Sequence, residues 1–292
     1  MKISPQHIVQ YHLHKAHPEK LQFELYDLNA YRKESGEKAA KPHSHSYYQI
    51  IWFFESGGTH TVDFTRFDIK ANTILFISKD QIHAFDDTDV KGWLIHFNES
   101  FFMHSEVDIF LKYRIFNTPL KSSLEITGEN LQMATSYISL LKKEQAQNNS
   151  FGNEEVVRYL LKSFLINLER LHRKGPNELL ELNNPYELRF LQFKELLEEH
   201  YKKGFSVREY ADAMGMSTKT LSTITKAVVH RPPLVLISER LILEAKRLLK
   251  FTPLQINEIA YKIGFEDASN FGKFFKRKVG RSPKEYRNYL SD

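Results

Sequence analysis

The sequence has no cysteine among its 292 residues. This absence excludes disulfide bridges, thiolate metal sites and cysteine nucleophiles, and it is typical of proteins from a reducing compartment. Long apolar runs are also missing. The N-terminal segment lacks the apolar core of a signal peptide, and the run "YYQIIWFF" is far too short to cross a bilayer. We therefore expect a cytoplasmic protein without a membrane partner.

The overall composition is that of a globular protein, with 41% hydrophobic, 26% charged and 13% aromatic residues. The length exceeds one small domain and fits two. Positive charge is concentrated in residues 186–292, which hold 20 lysines and arginines against 13 acidic residues; residues 1–185 hold 21 against 23. This asymmetry favours an anionic partner for the C-terminal part, although a solvated basic surface explains the charge alone equally well.

The N-terminal half has the pattern of short β-strands separated by turns. The strand-like runs are "LQFELYDL", "YYQIIWFFE", "THTVDF", "TILFIS" and "WLIHF". Such spacing predicts a sandwich or barrel. In "THTVDF", alternation predicts that His60, Val62 and Phe64 share one face and Thr59, Thr61 and Asp63 the other, as in a half-buried antiparallel strand.

After Phe97 the apolar residues recur every three or four positions, which predicts amphipathic helices over 106–116, 130–145 and 154–174. The apolar stripe predicted for the last helix consists of Val156, Leu160, Leu161, Phe164, Leu165 and Leu168.

The residues after Pro185 have helical periodicity and contain an internal repeat. Equivalent residues are 49 positions apart before the glycine of each copy and 50 apart after it, as in Glu209 and Glu258, Gly215 and Gly264, Lys226 and Lys276, and Pro233 and Pro283. The pattern of each copy predicts a helix, a tight turn at the glycine and a second helix. The predicted buried residues are Met214, Leu221 and Ile224 in the first copy and Ile263, Phe271 and Phe274 in the second.

The second helix of each copy has a polar, basic outer face. The residues on it are Lys219, Ser222, Thr223 and Lys226 in the first copy and Ser269, Lys273, Lys276, Arg277 and Lys278 in the second. A helix-turn-helix unit places such a helix in the DNA major groove while neighbouring cations contact phosphates. Two matched units joined by the long helical segment "PLVLISERLILEAKRLLKF" therefore predict double-stranded DNA as the partner.

The second copy, "EIAYKIGFEDASNFGKFFKRKVGRSPKEYR", resembles the signature of the AraC/XylS family of bacterial transcription regulators. The shared features are an alanine, Gly-Phe, a serine and an aromatic, Phe-Lys, a glycine, Ser-Pro and Tyr-Arg. The resemblance covers residues 205–289 and implies a sequence-specific regulator with recognition helices at 217–229 and 268–279. It also implies that bases are read by Lys219, Ser222, Thr223, Ser269 and Lys273.

The first copy departs from the family pattern. Thr223 and Thr225 in "LSTITK" stand where such proteins have an arginine and an aromatic, and "HRPP" replaces a glycine-containing turn. Loss of the arginine removes a bidentate contact to guanine. We therefore expect the second unit to anchor the protein and the first to bind more loosely or to read DNA shape.

The N-terminal half resembles cupin-like effector domains, through "KPHSHSYYQIIWFFESGG" and "TILFISKDQIHAF". A cupin metal site has three histidines and a glutamate; here His43, His45 and His83 are present, and Gln49 takes the glutamate position. Because an amide is a poor ligand for a divalent ion, we expect pocket-lining or structural histidines and no cofactor. A metal site of His43, His45 and His83 is the alternative. His60 and His96 are expected to be structural.

Aromatic residues of the predicted strands could line an apolar pocket for a small-molecule effector, or form ordinary core. These residues are Tyr47, Trp52, Phe54, Phe76, Phe85 and Trp93. The candidate pocket residues are His43, His45, Gln49, Trp52, His83 and Trp93.

We predict a two-domain α+β protein. Residues 1–175 form a cupin-like antiparallel β-barrel or sandwich followed by helices, 176–185 a linker, and 186–292 an all-α domain with two helix-turn-helix units joined by a long helix. The predicted function is DNA-binding transcription regulation rather than catalysis, under an unknown small molecule. A homodimer through residues 127–174 and contact with RNA polymerase are expected. The alternatives are a cupin-type metal-dependent enzyme or metal sensor, and an architectural DNA-binding protein without effector.

Overall fold

The computed structural model describes residues 8–17, 20–35, 40–85, 90–98, 101–102, 114–116, 123–147, 150–173 and 185–289. It divides into two compact units, one of residues 9–179 and one built mainly of residues 180–292. The predicted linker at 176–185 lies almost wholly outside the described residues. The domain boundaries therefore stay a prediction.

The N-terminal unit contains two five-stranded sheets. Its described strands and first helix are β1 (Val9–Tyr11), β2 (Phe23–Asp27), α1 (Leu28–Ser35), β3 (His43–His45), β4 (Tyr48–Phe53), β5 (Thr59–Val62), β6 (Thr65–Asp68), β7 (Thr73–Ile77), β8 (His83–Phe85), β9 (Gly92–Phe97) and β10 (Ser123–Glu125). The strand orders are β1-β3-β8-β5-β6 and β10-β7-β4-β9-β2. Among these strands only β1 and β3 pair in parallel. The predicted, mainly antiparallel β-structure is confirmed.

The second sheet has two buried faces, because its central strand β4 alternates between two cores. Ile51 and Phe53 pack with residues of the first sheet, whereas Ile50 and Trp52 pack with helices α2 (Gly128–Ala146) and α3 (Asn153–His172). Period-two alternation dictates this division, since neighbouring side chains of a strand point to opposite faces. The sheet thus separates a sandwich interior from a helix-covered core.

Helix α3 follows the predicted periodicity with a shifted buried face. Its buried apolar residues are Val157, Leu161, Phe164, Leu165 and Leu168. The prediction was wrong for Val156, which is 40% exposed, and for Leu160, which is half-buried. Both line an apolar groove together with residues of α2.

Three predicted segments of the N-terminal half end differently in the structure. Asp63 adopts a positive φ of 52° and follows the end of β5 in a turn, so Phe64, which is 38% exposed, does not continue the face of His60 and Val62. The segment "LYDL" leaves its strand at Leu28, where α1 begins. Most of the helix predicted at 106–116 lies outside the described residues, and Arg114–Phe116 forms a 3-10 turn.

The C-terminal unit is all helical, as predicted. Its elements are α4 (Pro185–His200), a 3-10 turn (Tyr201–Lys203), α5 (Val207–Ala213), α6 (Thr218–Val229), α7 (Pro233–Phe251), α8 (Ile256–Lys262), α9 (Ala268–Val279) and α10 (Pro283–Tyr289). The pairs α5–α6 and α8–α9 are the two helix-turn-helix units, and α7 joins them. This confirms the predicted architecture.

The internal repeat of the sequence is seen in the structure as equivalent caps at the ends of equivalent helices. Ser206 and Glu209 form a capping box at the start of α5, and Gln255 and Glu258 form the equivalent box at α8. His230 ends α6 in the left-handed conformation, with φ 56°, where Gly280 ends α9. The end of α6 is therefore regular although its cap is a histidine.

Each unit has its own apolar core. Tyr210, Leu221 and Ile224 are buried in the first, and Ile259, Phe271 and Phe275 in the second. The prediction that Phe274 fills the second core was wrong. That residue is half-buried against Phe265, with ring centroids 5.2 Å apart, and the core position is taken by Phe275, which packs against Tyr286 of α10. In the first unit, Thr225 occupies the position of Phe275 and is fully buried.

The two turn glycines differ in their surroundings. Both have positive φ, 64° at Gly215 and 93° at Gly264. A Cβ atom on Gly215 would meet no neighbouring atom within 4 Å, whereas one on Gly264 would lie 2.3 Å from the backbone oxygen of Lys202. Gly264 thus lets the turn of the second unit pack against the segment before the first.

We expect Gly215→Ala to lower the free energy of unfolding by about 1–2 kcal/mol, the cost of a left-handed alanine. Gly264→Ala should cost at least about 2 kcal/mol more, because the backbone of Lys202 must also move. Urea unfolding of the full chain measures both changes. Equal losses in the two variants would contradict the close contact.

Candidate DNA-binding surface and barrel interior

The recognition helix of the second unit presents a continuous basic face. Ser269, Lys273 and Lys276 follow one another at helical spacing and are exposed, and Arg277 and Lys278 are exposed near the same end. The helix is held from its other side by Phe271 and Phe275. Its first turn is capped by Asp267, whose carboxylate accepts the backbone N–H groups of Ser269 and Asn270 at 2.8 and 3.3 Å.

The first unit places equivalent residues on an equivalent face. Lys219, Thr223 and Lys226 are exposed on α6 at the same spacing, and Ser222 is half-buried. Thr223 donates its hydroxyl to the backbone oxygen of Lys219 at 3.1 Å. Thr225, in contrast, is buried and donates to the oxygen of Ser222 at 3.3 Å. The polar outer face therefore has two lysines in α6, where that of α9 has three lysines and an arginine.

An ion network around the largely buried side chain of Arg240 ties the connecting helix α7 to the segment before the first unit. The guanidinium of Arg240 lies 3.9 Å from the ring centroid of Tyr201, 2.7 Å from Glu198 and 3.2 Å from Glu244. Arg247 lies 3.7 Å from the same Glu244 carboxylate. Burial alone would raise the pKa of Glu244, but the two arginines outweigh it and hold that pKa below its ordinary value.

The far end of α7 is fixed by the last helix. Arg287 of α10 donates to the backbone oxygens of Leu249 and Leu254 at 3.2 and 2.7 Å. These carbonyls lie at and just beyond the C-terminal end of α7, where a cation is favourable. Together with the Gly264 contact, they restrict the position of the second unit relative to the first.

The sandwich interior has an apolar part and a part rich in histidine. The rings of His43, His45 and His83 lie 4.4–4.9 Å apart, centroid to centroid. His60 is within hydrogen-bond distance of His83, with 3.1 Å between Nε2 and Nδ1. The opposite sheet contributes Gln49, whose Nε2 lies 2.9 Å from Nε2 of His96. All six side chains are buried.

Burial keeps these histidines neutral. It lowers the pKa of His60 and of His96 to about 3, and the neighbouring His43 ring adds to the effect. Burial also lowers the pKa of His43, His45 and His83. Several polar atoms here have no hydrogen-bond partner: both ring nitrogens of His45, Nε2 of His83, Nδ1 of His60 and Oε1 of Gln49.

The structure corrects part of the predicted pocket. Trp52, Trp93 and Phe76 lie on the helix-covered face of the second sheet, opposite the histidines. Lys142 of α2 lies 4.4 Å from the ring centroid of Trp93. Phe54 is 37% exposed. These four residues therefore do not line the interior, because strand alternation places them on the other side.

Other candidates do share the interior. Phe85 lies 4.5 Å from the His60 ring, and Tyr47 lies 4.5 Å from His45 and 4.8 Å from His96. Sequence reasoning treated His60 and His96 as structural and missed Tyr26 and Tyr31, whose rings lie 5.4 Å from His96. The two-residue spacing of His96 from Leu94, which faces the interior, was the available signal.

A third feature is an apolar groove of about 510 Å³ on the outer side of α2 and α3. Its lining residues are Met133, Ser136, Tyr137, Leu140, Val156, Tyr159, Leu160 and Ser163. Leu140, Val156 and Tyr159 are 40–57% exposed.

Comparison with known proteins finds transcription regulators. A family model for a helix-turn-helix domain matches residues 210–289. The HTH-type transcriptional activator RhaS of Enterobacter sp. (strain 638) is 26% identical over 86% of this chain and 88% of its own length. These findings support a transcription regulator of the AraC/XylS family. RhaS of Yersinia pestis bv. Antiqua (strain Angola) is 23% identical over 87% of the regulator and 91% of its own length.

Among solved structures, the C-terminal domain of the two-component response regulator yesN from Fusobacterium nucleatum subsp. nucleatum ATCC 25586 is similar. It shares 29% identity, covers 34% of the regulator and 97% of its own chain, and has a TM-score of 0.33.

The regulator binds DNA and is not an enzyme, as its relatives named transcriptional activators indicate. No α-helix in the described part of the chain has both the length and the hydrophobicity to span a bilayer.

Proposed function

We propose that α6 and α9 read two successive major-groove segments on one side of the DNA. The observation that carries this proposal is the repeated exposed face, with Lys219, Thr223 and Lys226 at the positions of Ser269, Lys273 and Lys276. Successive segments are about 34 Å apart, one turn of the duplex. The ion network of α7 and the contact at Gly264 support a fixed spacing of the two helices.

The two helices make unequal contributions in this proposal. Lys273 and Ser269 read bases, while Lys276, Arg277 and Lys278 neutralise phosphates. In α6, Thr223 supplies a short side chain at the position of Lys273, and its hydroxyl is already bonded to its own helix. The first unit therefore tunes binding, and the second anchors it.

The sandwich interior is the proposed effector site. Buried polar atoms without partners on His45, His60 and Gln49 make a small polar molecule an energetically favourable occupant, because each unmet hydrogen bond costs free energy. Tyr47 and His96 would complete the pocket wall. Since the target is genomic DNA, we place the regulator in the bacterial cytoplasm, with RNA polymerase as a further partner.

We further propose a homodimer through the groove between α2 and α3. A second copy is the occupant that fits, because a two-fold axis brings the same apolar face of each chain together. Leu140, Val156 and Tyr159 would lose their exposure in such a contact. A dimer also places two DNA-binding units on one duplex, which extends the recognised site.

Lys273→Ala should weaken binding to a specific site by about 1–3 kcal/mol while leaving binding to unrelated duplex DNA nearly unchanged, because a base contact is lost. Lys276→Ala is the matched control on the same helix face. It should weaken binding to all sequences alike and reduce the slope of log K against log salt by about 1. Fluorescence anisotropy with both duplexes measures the two effects. Uniform weakening by Lys273→Ala would contradict base reading.

Leu140→Glu should convert the dimer to a monomer without a large loss of stability, since this side chain is already 47% exposed within the chain. Lys143→Glu introduces the same acid on an exposed position of α2 outside the groove lining and should leave the dimer intact. Sedimentation of the full chain gives the mass. A monomeric wild-type protein at micromolar concentration would rule out the proposed dimer.

A small molecule that binds the interior should raise the free energy of unfolding by about 2.7 kcal/mol at a concentration of 100 Kd. Tyr47→Phe and Gln49→Leu, which remove interior polar atoms, should reduce this stabilisation. Thermal unfolding of the full chain with candidate metabolites provides the measurement. Stabilisation that survives both substitutions would place the ligand elsewhere.

A further inference from the structure

The recognition helix of the second unit contains a glycine that the backbone conformation does not require. Gly272 lies in the interior of α9 and lacks the positive φ of the turn glycines Gly215 and Gly264. A glycine inside a helix makes that helix less stable than an alanine would, because it loses more conformational freedom on folding. The residue at position 272 therefore lowers the stability of the helix that carries it.

Packing inside the chain does not require this glycine either. A Cβ atom on Gly272 would meet no neighbouring atom within 4 Å, so alanine fits there without any movement. At Gly264, in contrast, the added atom would lie 2.3 Å from the backbone oxygen of Lys202. The other physical use of a glycine is to let a binding partner approach the backbone closely.

Gly272 belongs to the side of α9 that is proposed to face the DNA. It lies three residues after Ser269 and four before Lys276, so these residues follow one another along the helix. Lys273, its neighbour in sequence, is exposed. The equivalent residue of the first unit is Ser222, 50 positions earlier on α6. The missing side chain thus leaves a gap beside the base-reading residues of the second unit.

The chemistry of the gap decides which group of the DNA fits it. Gly272 has no side-chain donor or acceptor, and its backbone N–H is bonded within the helix to the carbonyl four residues earlier. A phosphate oxygen or a polar base atom placed there would lose its hydrogen bond to water without gaining another. The methyl group of thymine lies at the edge of the base in the major groove and needs only space and an apolar contact.

We propose that Gly272 is a specificity-determining residue, which admits the methyl group of one thymine of the target site against the backbone of α9. The inference rests on the proposed function, because it requires α9 to lie in the major groove. Ser269 and Lys273 supply hydrogen bonds to neighbouring base edges from the same side of the helix. The second unit therefore recognises one base through the absence of a side chain.

The test uses the duplex that the full-length chain selects from a pool of random sequences. Each thymine of this duplex is replaced in turn by uracil, which differs only in lacking the methyl group. Fluorescence anisotropy gives the Kd for every duplex. For the wild type, we expect uracil at the thymine that meets Gly272 to raise the Kd about 3- to 10-fold, because one buried methyl contact is lost.

Gly272→Ala fills the gap with a methyl group of the protein. The Kd for the thymine duplex should rise at least roughly 10-fold, because two methyl groups compete for the same space. Uracil at that single position should restore binding to within about 3-fold of the wild type, since it removes one of the two groups. Asn288→Ala, at an exposed position of α10, is the control and should bind each duplex like the wild type.

The stability of the same variant shows that the effect is not structural damage. Gly272→Ala should raise the urea concentration at the midpoint of unfolding, because alanine is the better helix residue and meets no neighbour. Weaker binding by a more stable chain is a combination that a misfolded helix does not produce.

Two results would overturn the inference. One is a Gly272→Ala variant that binds the thymine duplex as tightly as the wild type. The other is a loss of binding that uracil restores at no position. Lys273→Ala separates these results from a failure of the proposed function, because it weakens binding to the selected duplex only if α9 reads bases. A chain that selects no sequence, or that Lys273→Ala leaves unchanged, contradicts base reading by α9 and this inference with it.

Discussion

The geometry of the DNA-binding unit depends on one close approach of two backbone segments. Gly264 has no side chain, so its turn can pack against the carbonyl of Lys202. The same segment continues into the network of Tyr201, Arg240 and Glu244 that orients α7. A connecting helix alone would leave the angle between the two units adjustable, because single helices bend and their ends unwind. The contact at Gly264 and the network around Arg240 together limit changes in the angle between the two units.

Burial of charge in this network serves position more than stability. Removing one partner of a buried ion pair is costly, whereas the pair as a whole adds little over an apolar alternative. Arg240 is held by two carboxylates and an aromatic face. Such a group tolerates only one arrangement of its surroundings. These contacts hold α7, the helix that joins the two helix-turn-helix units, against the segment before the first unit.

Much of the fold follows from the sequence because its signals are local. Glycine turns, capping boxes and helical periodicity predicted α5–α6 and α8–α9, and the recognition helix at 268–279 agrees with the structure in both of its ends. Phe274 and Phe275 show the limit of such reasoning. The periodicity allows either residue to face the core, and only the packing against α10, where Phe275 contacts Tyr286 at 5.5 Å, decides between them.

The sandwich interior was less predictable from the sequence than the helix-turn-helix units. Strand membership was read correctly for the central strands, but the face of Trp52 and Trp93 depends on which side of the sheet the helices α2 and α3 cover. A sheet that is buried on both sides gives no polar alternation to reveal this. The histidine spacing did predict which rings meet, because His43 and His45 lie two residues apart on one strand and therefore share a face.

The caps of the two recognition helices also differ in charge. Asp267 places a carboxylate at the N-terminal end of α9, while α6 begins with the neutral hydroxyl of Ser217. A helix N-terminus attracts anions through its free N–H groups, but a carboxylate already bound there repels a second anion. A backbone phosphate of DNA can therefore approach the start of α6 more easily than the start of α9. The helix with fewer cations on its face thus has the more electropositive tip.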